Sequence, residues 1–500
     1  MPNTSPTLPE DPPQPNASSS DRPPITHHNK TLPEDRVPFV TKASFGAASM
    51  VGLLTSNLTM GATGLVTPVY VVALGISPST VGIAMVIFRI YDALTDLVMG
   101  WLSDNTRTRW GRRRPYMLLG ALLCAIVLPS MWMVNRDWST SMHTAWLIGT
   151  GIALYTCTTI YCVPYESFSL ELTPDYRERT SVASYRMVIS SLAGLLVGWS
   201  WYITQLPMFN DPITGKPDIL IGARALAVVA AVGVLLFGLA PVFFARERYY
   251  ASASKQAKVT LRGNCSAVLK NRPFLLLATF GVFAVTGSFL TEGIGFFTNL
   301  YYVCQGDQVL AAKITGIRAA MWMPASIVAV FVFQLIGGRW SKTHALLIAL
   351  SLSLFSIVCR WWILRPDLPY LSLVSSFLLA FGITGMWQML PAMNADVIDS
   401  DELNTSIRRE GAFASIFSWF MKLSFTIGLG LPGLIVDWSR FEIAKGAAQG
   451  PGIITALRLW DTIFPAILTA VAIVLVLFYP LTVSRMQKIR AALETRRGKL

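Results

Sequence analysis

Apolar runs of about twenty residues recur from end to end of this 500-residue chain, and they leave few architectures open. Twenty residues of α-helix span about 30 Å, the thickness of a bilayer's hydrocarbon core. In lipid every backbone N–H and C=O must be bonded within its own segment, so a chain of such runs folds as a bundle of membrane helices. Composition agrees: 53% of the residues are hydrophobic and 14% charged. A soluble chain of this length carries about 25% charge.

Twelve spans are expected. Six lie at about 44–73, 80–103, 115–134, 143–171, 179–205 and 219–245. Six more lie at about 273–303, 310–337, 343–364, 369–395, 410–437 and 457–484. The expected division is a disordered tail over 1–43, a six-helix half over 44–245, a basic loop over 246–272, a second half over 273–484 and a basic tail over 485–500. "GWLSDNTRTRWGRRRP" after span 2 is echoed by "GGRWSKTH" after span 8, as in transporters built from two related halves. The fold class is an all-α membrane protein with two six-helix halves.

The net charge of +13 and the pI near 9.6 read as topology, not as a nucleic-acid surface. Connections on the side of the N-terminus hold twenty-eight Lys and Arg. The opposite connections hold six: Arg136, Lys216, Lys313, Arg365, Arg440 and Lys445. Basic residues stay on the cytoplasmic side, so both termini are expected there.

The six cysteines, Cys124, Cys157, Cys162, Cys265, Cys304 and Cys359, form no C-x-x-C pair. Neither a disulfide framework nor a zinc site is expected. The four histidines lie in the tail or near span ends. The N-terminal thirty residues have no apolar core, so no secretory signal is expected. No G-x-x-x-x-G-K-[ST] loop and no H-E-x-x-H motif are present, which argues against ATP use and an intramembrane enzyme.

Span 2 carries the chemistry. "VGIAMVIFRIYDALTDLVMGWLSDNTRTRWGRRRP", from Val81 to Pro115, places Arg89, Asp92 and Asp96 in lipid-length helix. Each charge at mid-bilayer costs about 2.5–3.5 kcal/mol on insertion scales. At 100° per residue the three fall within about 60° of one another, so all can face the bundle interior. Arg89 can neutralise one carboxylate, leaving room for one added cation, a proton or a metal ion. A static ion-pair network is the alternative for the same residues.

Other intramembrane polar groups are Asn57 in span 1, Glu166 after Pro164 in span 4, Arg186 in span 5, Gln388 beside Trp387 in span 10 and Lys422 in span 11. Pro164 should kink its helix and free carbonyls to line a cavity. Glu292 and Arg318 are expected to form an outer pair. Tyr91, Tyr155, Tyr161, Tyr165, Trp199, Trp201 and Trp387 flank the charges, and flat rings beside them suit a sugar. The loop residues Asp104, Arg107, Arg112 and Arg113, with Asp396, Asp399 and Arg409, are candidates for a cytoplasmic gate whose salt bridges form in one state and break in the other.

These stretches resemble a known family. "RIYDALTDLVMGWLSDNTRTRWGRRRP" is similar to the span-2 signature of the glycoside–pentoside–hexuronide:cation symporters, a melibiose-permease-like branch of the major facilitator superfamily. "YCVPYESFSLELTPDYRERTSVASYRM" and "ADVIDSDELNTSIRREGAFASIFSWFMKLSFTIGLGL" resemble two further family stretches, in the expected order. The resemblance implies that Asp92 and Asp96 bind the cation, that Lys422 lies near that site and that Arg186 helps bind sugar; Arg89 and Lys422 are the expected coupling residues. It also implies departures: Asn57 and Cys162 stand where the melibiose permease has acids, and Glu166 where it has a tryptophan.

The expected function is Na+- or H+-coupled symport of a sugar or glycoside by alternating access, with no cofactor. Asn57, Cys162, Glu166, Arg186, Trp387 and Gln388 would line the solute site. A working monomer in a bacterial inner membrane is expected. A symporter of a non-sugar solute such as a lysolipid and a non-transporting sensor are the rivals.

Overall fold

A computed structural model describes residues 36–60, 64–169, 172–173, 175–245, 266–407 and 409–497. Most of the expected N-terminal tail, most of the central loop and Cys265 lie outside the described residues. The first half holds α1 Phe39–Leu58, α2 Pro78–Asn105, α3 Arg114–Ser130, α4 Thr140–Ser169, α5 Tyr176–Gly198 and α6 Ile219–Phe244. The second holds α7 Arg272–Phe297, α8 Gln308–Arg339, α9 Lys342–Ile363, α10 Ser372–Thr405, α11 Glu410–Trp438 and α12 Pro451–Leu477, followed by α13 Val483–Arg497.

Among the described residues nine helices are long and apolar enough to cross a membrane. The other three of the twelve depart for visible reasons. α1 breaks at Leu58 and resumes as a π-helical stretch, Thr67–Ala73, α2 carries its own charges, and α3 has only 17 residues. Short polar residues start the helices. Ser77, Asp175, Asp218, Asn271, Asp307 and Ser341 each accept a hydrogen bond from a first-turn N–H. Consecutive helices run antiparallel. The face where α1 begins is the near face, and the opposite one is the far face.

The two halves repeat one packing scheme. α1 packs on α5 and α6, α3 on α4 and α6, and α2 on α4. Six helices later α7 packs on α11 and α12, α9 on α10 and α12, and α8 on α10. The π-helical stretch after α1 has its counterpart in Thr298–Val303 after α7. Each half thus has the same arrangement, as the paired basic loops suggested.

Between the halves, α2 with α11 and α5 with α8 carry the packing, the latter continued by the turn Ser200–Ile203. The tightest approaches lie toward the far face. A Cβ on Gly82 would stand 2.6 Å from the Gly430 carbonyl oxygen, and one on Gly433 would strike the Pro78 backbone. The Ser79 N–H donates to Asp437 at 3.2 Å, and Trp201 meets Phe296 with ring centroids 5.0 Å apart. Small residues let backbones touch where lipid supplies no hydrophobic drive.

Two sequence expectations need correction. α10 does not stop near 395 but runs to Thr405, so Asp396, Asp399 and Asp401 sit on its last turns instead of in a loop. Ser406, with φ of 63°, then ends it in the left-handed region. Residues 485–497 are helical, and α13 buries Met486, Ile489 and Leu493 against the second half. Their i, i+3, i+7 spacing was there to be read.

The second half also encloses a buried ion pair. Arg360 of α9 meets Asp461 of α12 at 2.8 Å, with side chains 6% and 1% exposed. Removing one partner of such a pair strands the other charge. Asp461→Asn should therefore lower stability by about 3 kcal/mol or more, read by thermal unfolding of the purified protein in detergent. Arg360→Met with Asp461→Leu should cost less than either single change, and the reverse order would contradict a stranded-charge origin.

Candidate functional site

Three charges meet where the halves face each other. Asp92 and Asp96 lie one helical turn apart on α2, and Lys422 reaches them from α11 of the other half. Its ammonium stands 2.5 Å from Asp96 Oδ2 and 3.4 Å from Asp92 Oδ2. At 1.5 Å per residue the three sit about 15–20 Å in from the near face, at mid-depth. The side chains of Asp92, Asp96 and Lys422 are 17%, 34% and 24% exposed, so water can reach all three.

Arg89 does not do what its spacing suggested. Lys422, not Arg89, makes the ion pairs to the carboxylates. The Arg89 guanidinium lies between two rings instead, 5.7 Å from the Tyr155 centroid on α4 and 5.8 Å from Phe425 on α11. It forms no ion pair among the described residues, and its Nε is buried without a hydrogen-bond partner. Phe425 stacks in turn on Trp387 at 6.1 Å, which brings that sequence-predicted aromatic to the same cavity. A guanidinium held over rings is favourable for charge–quadrupole reasons, and two aromatic faces explain why it leaves the acids to a lysine.

A second pair lines the first half. Arg186 Nη1 donates to Glu166 Oε2 at 2.7 Å, and a second contact makes the pairing two-pronged. Glu166 is 53% and Arg186 35% exposed, with the guanidinium 5.2 Å from the Tyr165 centroid. Cys162, one turn before Glu166, lies among Glu166, Asp96, Asp92 and Arg186 and faces Gly52 of α1. Tyr91 and Thr95 on α2 tie to Thr156 and Thr159 on α4 at 2.9 and 3.4 Å, which fixes the face that bears the acids.

Not every predicted residue joins this cavity. Gln388 donates to the Val330 carbonyl of α8 at 3.2 Å, and its Oε1 is buried without a partner. Asn57 is the next-to-last residue of α1, toward the far face, and its side chain has no hydrogen bond among the described residues. Glu292 and Arg318 do pair, at 3.2 Å. Glu292 also lines a crevice between α2, α7 and α11 on the far side.

Among the described residues, the ion pairs of Asp104, Asp396 and Arg409 each lie within one half. Asp104 lies 3.6 Å from Arg113 and 4.0 Å from Arg112. Asp396 pairs with Lys342 at 2.7 Å and with Arg490 of α13 at 3.5 Å, so it does not reach the arginine loop of the first half. Arg409 takes Asp401 at 3.1 Å. Arg107 is exposed with no ion pair among the described residues, and Asp399 is half-buried on α10.

Sequence reading missed Arg360 and Asp461. Each is a lone charge in an apolar run, "SIVCRWWI" and "RLWDTIFP", and the signal was that an unpaired charge in lipid requires a partner.

Two carboxylates offer hard oxygen ligands that suit a proton or a small cation, and an ammonium now bridges them. No cluster of three or more His, Cys, Asp or Glu side chains placed to hold a metal occurs among the described residues. On the expectation that Asp92 and Asp96 bind a cation, Lys422 would compete with it for the same oxygens. Lys422→Ala should raise the protein's affinity for sodium or protons about tenfold or more, because two facing acids lose their built-in counter-charge. Cation protection against thermal unfolding reads this, and an unchanged response would mean the ammonium does not compete.

Comparisons with known proteins bear on the reading. A family model described as MFS/sugar transport protein matches residues 48–483. An uncharacterized symporter of Bacillus subtilis (strain 168) is 26% identical over 85% of this chain and 89% of its own length. A glucuronide carrier protein homolog of Escherichia coli (strain K12) is 24% identical over 85% of this chain and 89% of its own length. Among solved structures, a bacterial homolog of the human lysosomal transporter Spinster, in an inward-facing and unoccupied conformation, superposes with a TM-score of 0.62. The match covers 91% of this chain and 97% of that one at 12% identity, a likeness of fold.

Proposed function

The chain belongs to the MFS/sugar transport family, and on that premise we propose that this integral membrane transporter couples a sodium ion or proton to the uptake of a sugar-like solute. One observation carries the reading: two carboxylates on one half are bridged by an ammonium from the other, at mid-depth and within reach of water. A cation that enters between Asp92 and Asp96 releases Lys422. This changes the bond between α2 and α11, the helices that hold the halves together. Ion binding and the relation of the halves are thereby one event, which alternating access requires.

The solute, in this reading, sits between the charged wall of the first half and the aromatic wall of the second. Glu166 and Arg186 offer acceptors and donors for hydroxyl edges, while Tyr155, Phe425 and Trp387 offer flat faces. The near face is the cytoplasmic one by its excess of basic residues, with both termini there, and the membrane is a bacterial inner membrane. The domain bounds read from the sequence and a working monomer belong to the same proposal.

Asp92→Asn and Asp96→Asn should each abolish uphill uptake in proteoliposomes while leaving folded protein in the membrane. Concentrative uptake that survives both would remove the coupling role. Arg186→Ala should raise the half-saturating solute concentration more than about tenfold, the cost of a lost charged hydrogen bond. A wild-type value would place Arg186 outside the solute site.

A further inference from the structure

The second half holds a small polar cavity of its own, apart from the space between the halves. It lies toward the far face between α7, α8, α9 and α10, and Asn299, Thr315, Arg318, Arg360, Ser372 and Ser376 line it. Two guanidiniums border it, and among the described residues no carboxylate does. Gly295 of α7 makes room for one of them, since a Cβ there would stand 2.6 Å from Arg360 Nη2. Asp461 accepts from Nε and Nη2 of Arg360, which leaves Nη1 outside that pair on a side chain 6% exposed. Arg318 reaches Glu292 with Nη2 at 3.2 Å. A carboxylate fork takes two of a guanidinium's five donors, so both arginines keep donors to place. The hydroxyls of Thr315, Ser372 and Ser376 donate to backbone carbonyls of their own segments, and Asn299 donates to the Ala311 carbonyl. What the lining offers an occupant is therefore mainly arginine N–H.

The charges around this cavity leave one positive in excess. Glu292 and Asp461 answer Arg318 and Arg360. Arg458 of α12, one turn before Asp461, has no ion pair among the described residues. Its guanidinium lies 4.3 Å from the Tyr302 ring centroid and 4.4 Å from that of Trp361, and it donates to the Trp361 carbonyl at 2.6 Å. At the water edge Arg365 pairs with Asp367, and the exposed Lys313 and Asp307 cancel in sign. α10 begins beside the cavity without a side-chain cap, so its first-turn N–H groups add positive potential there. Water in the cavity satisfies donors but leaves the excess charge, whereas one monovalent anion answers both.

We propose that this cavity is a binding site for one small inorganic anion of the size of chloride, held by Arg318 and Arg360. It stands apart from the solute and cation reading above and does not depend on it. The place of the site gives the anion a consequence. Arg318 lies between Gly316 and Ala319, the α8 residues that pack against Trp199 and Gly198 of α5. Glu292, its present partner, lines the crevice between α2, α7 and α11. An anion on Arg318 competes with Glu292, so its occupancy is felt at both contacts between the halves.

The test uses the purified full chain in detergent. Sodium and ionic strength are held constant while chloride replaces gluconate, an anion too large for the cavity. Chloride should raise the unfolding temperature saturably by about 2 °C or more, and radiolabelled chloride should bind at one site per chain. Arg318→Gln should weaken chloride binding more than about tenfold, the cost of a lost charged hydrogen bond. Arg365→Gln, at the exposed pair, should leave it unchanged. Ser376→Asp supplies a carboxylate inside the cavity. In gluconate it should unfold at a higher temperature than the wild type, and it should no longer respond to chloride. A gain of stability cannot come from a damaged fold, so this variant decides the matter if Arg318→Gln does not fold. Absence of a saturable chloride effect in the wild type would mean that water alone fills the cavity. Undiminished chloride binding in Arg318→Gln would place the anion elsewhere, and a Ser376→Asp protein less stable than the wild type in gluconate would mean that the cavity does not favour negative charge. Any of these results overturns the inference.

Discussion

The ammonium of Lys422 between Asp92 and Asp96 is the bond on which the rest of the structure turns. Two carboxylates one turn apart on a membrane helix repel each other, and neither has lipid as a tolerable neighbour. The counter-charge comes from the opposite half of the molecule, so relieving that repulsion also ties α2 to α11. The bond is also partly exposed at all three side chains. A fully enclosed pair such as Arg360 with Asp461 has no such exposure and serves the fold of one half.

Around that bond, the two sides of the molecule are built differently. Toward the far face the backbones of α2 and α11 approach through Gly82, Gly430 and Gly433, where a side chain would not fit. Toward the near face the charged residues find partners inside their own halves: Asp104 with Arg112 and Arg113, Asp396 with Lys342 and Arg490. Steric closeness holds one side together, while the other is held in two separately satisfied parts. One buried cluster fills the first half and runs on into Ile294, Phe297 and Ile435 of the second, while a separate cluster fills the rest of the second half.

Much of the site was legible before any coordinates. Charges are rare enough in lipid-length helices that Arg89, Asp92, Asp96, Glu166, Arg186 and Lys422 announce themselves, and helical periodicity puts the first three on one face. What periodicity could not supply was the pairing. Arg89 lies one turn from Asp92 and was the obvious partner by local spacing. Lys422 lies 330 positions away and won because α11 presents it opposite both acids, while Tyr155 and Phe425 hold the arginine elsewhere. The last turns of α10 and the helix α13 were missed for a related reason. Their polar composition reads as loop or tail; the spacing of Met486, Ile489 and Leu493 marks a helix face in α13, and packing against the second half buries it.

The sequence by itself determined that the chain crosses a membrane repeatedly, that its basic residues lie on one side, and which ionisable groups are buried in it. These follow from transfer free energies and helical geometry, which act on neighbouring residues and need no knowledge of the fold. Only the tertiary structure decided which charge pairs with which, where the backbones of the two halves meet and which arginine lies against aromatic rings. Those outcomes depend on distances between helices far apart in the chain, and electrostatic and steric energies change steeply over the few ångströms that packing alone sets.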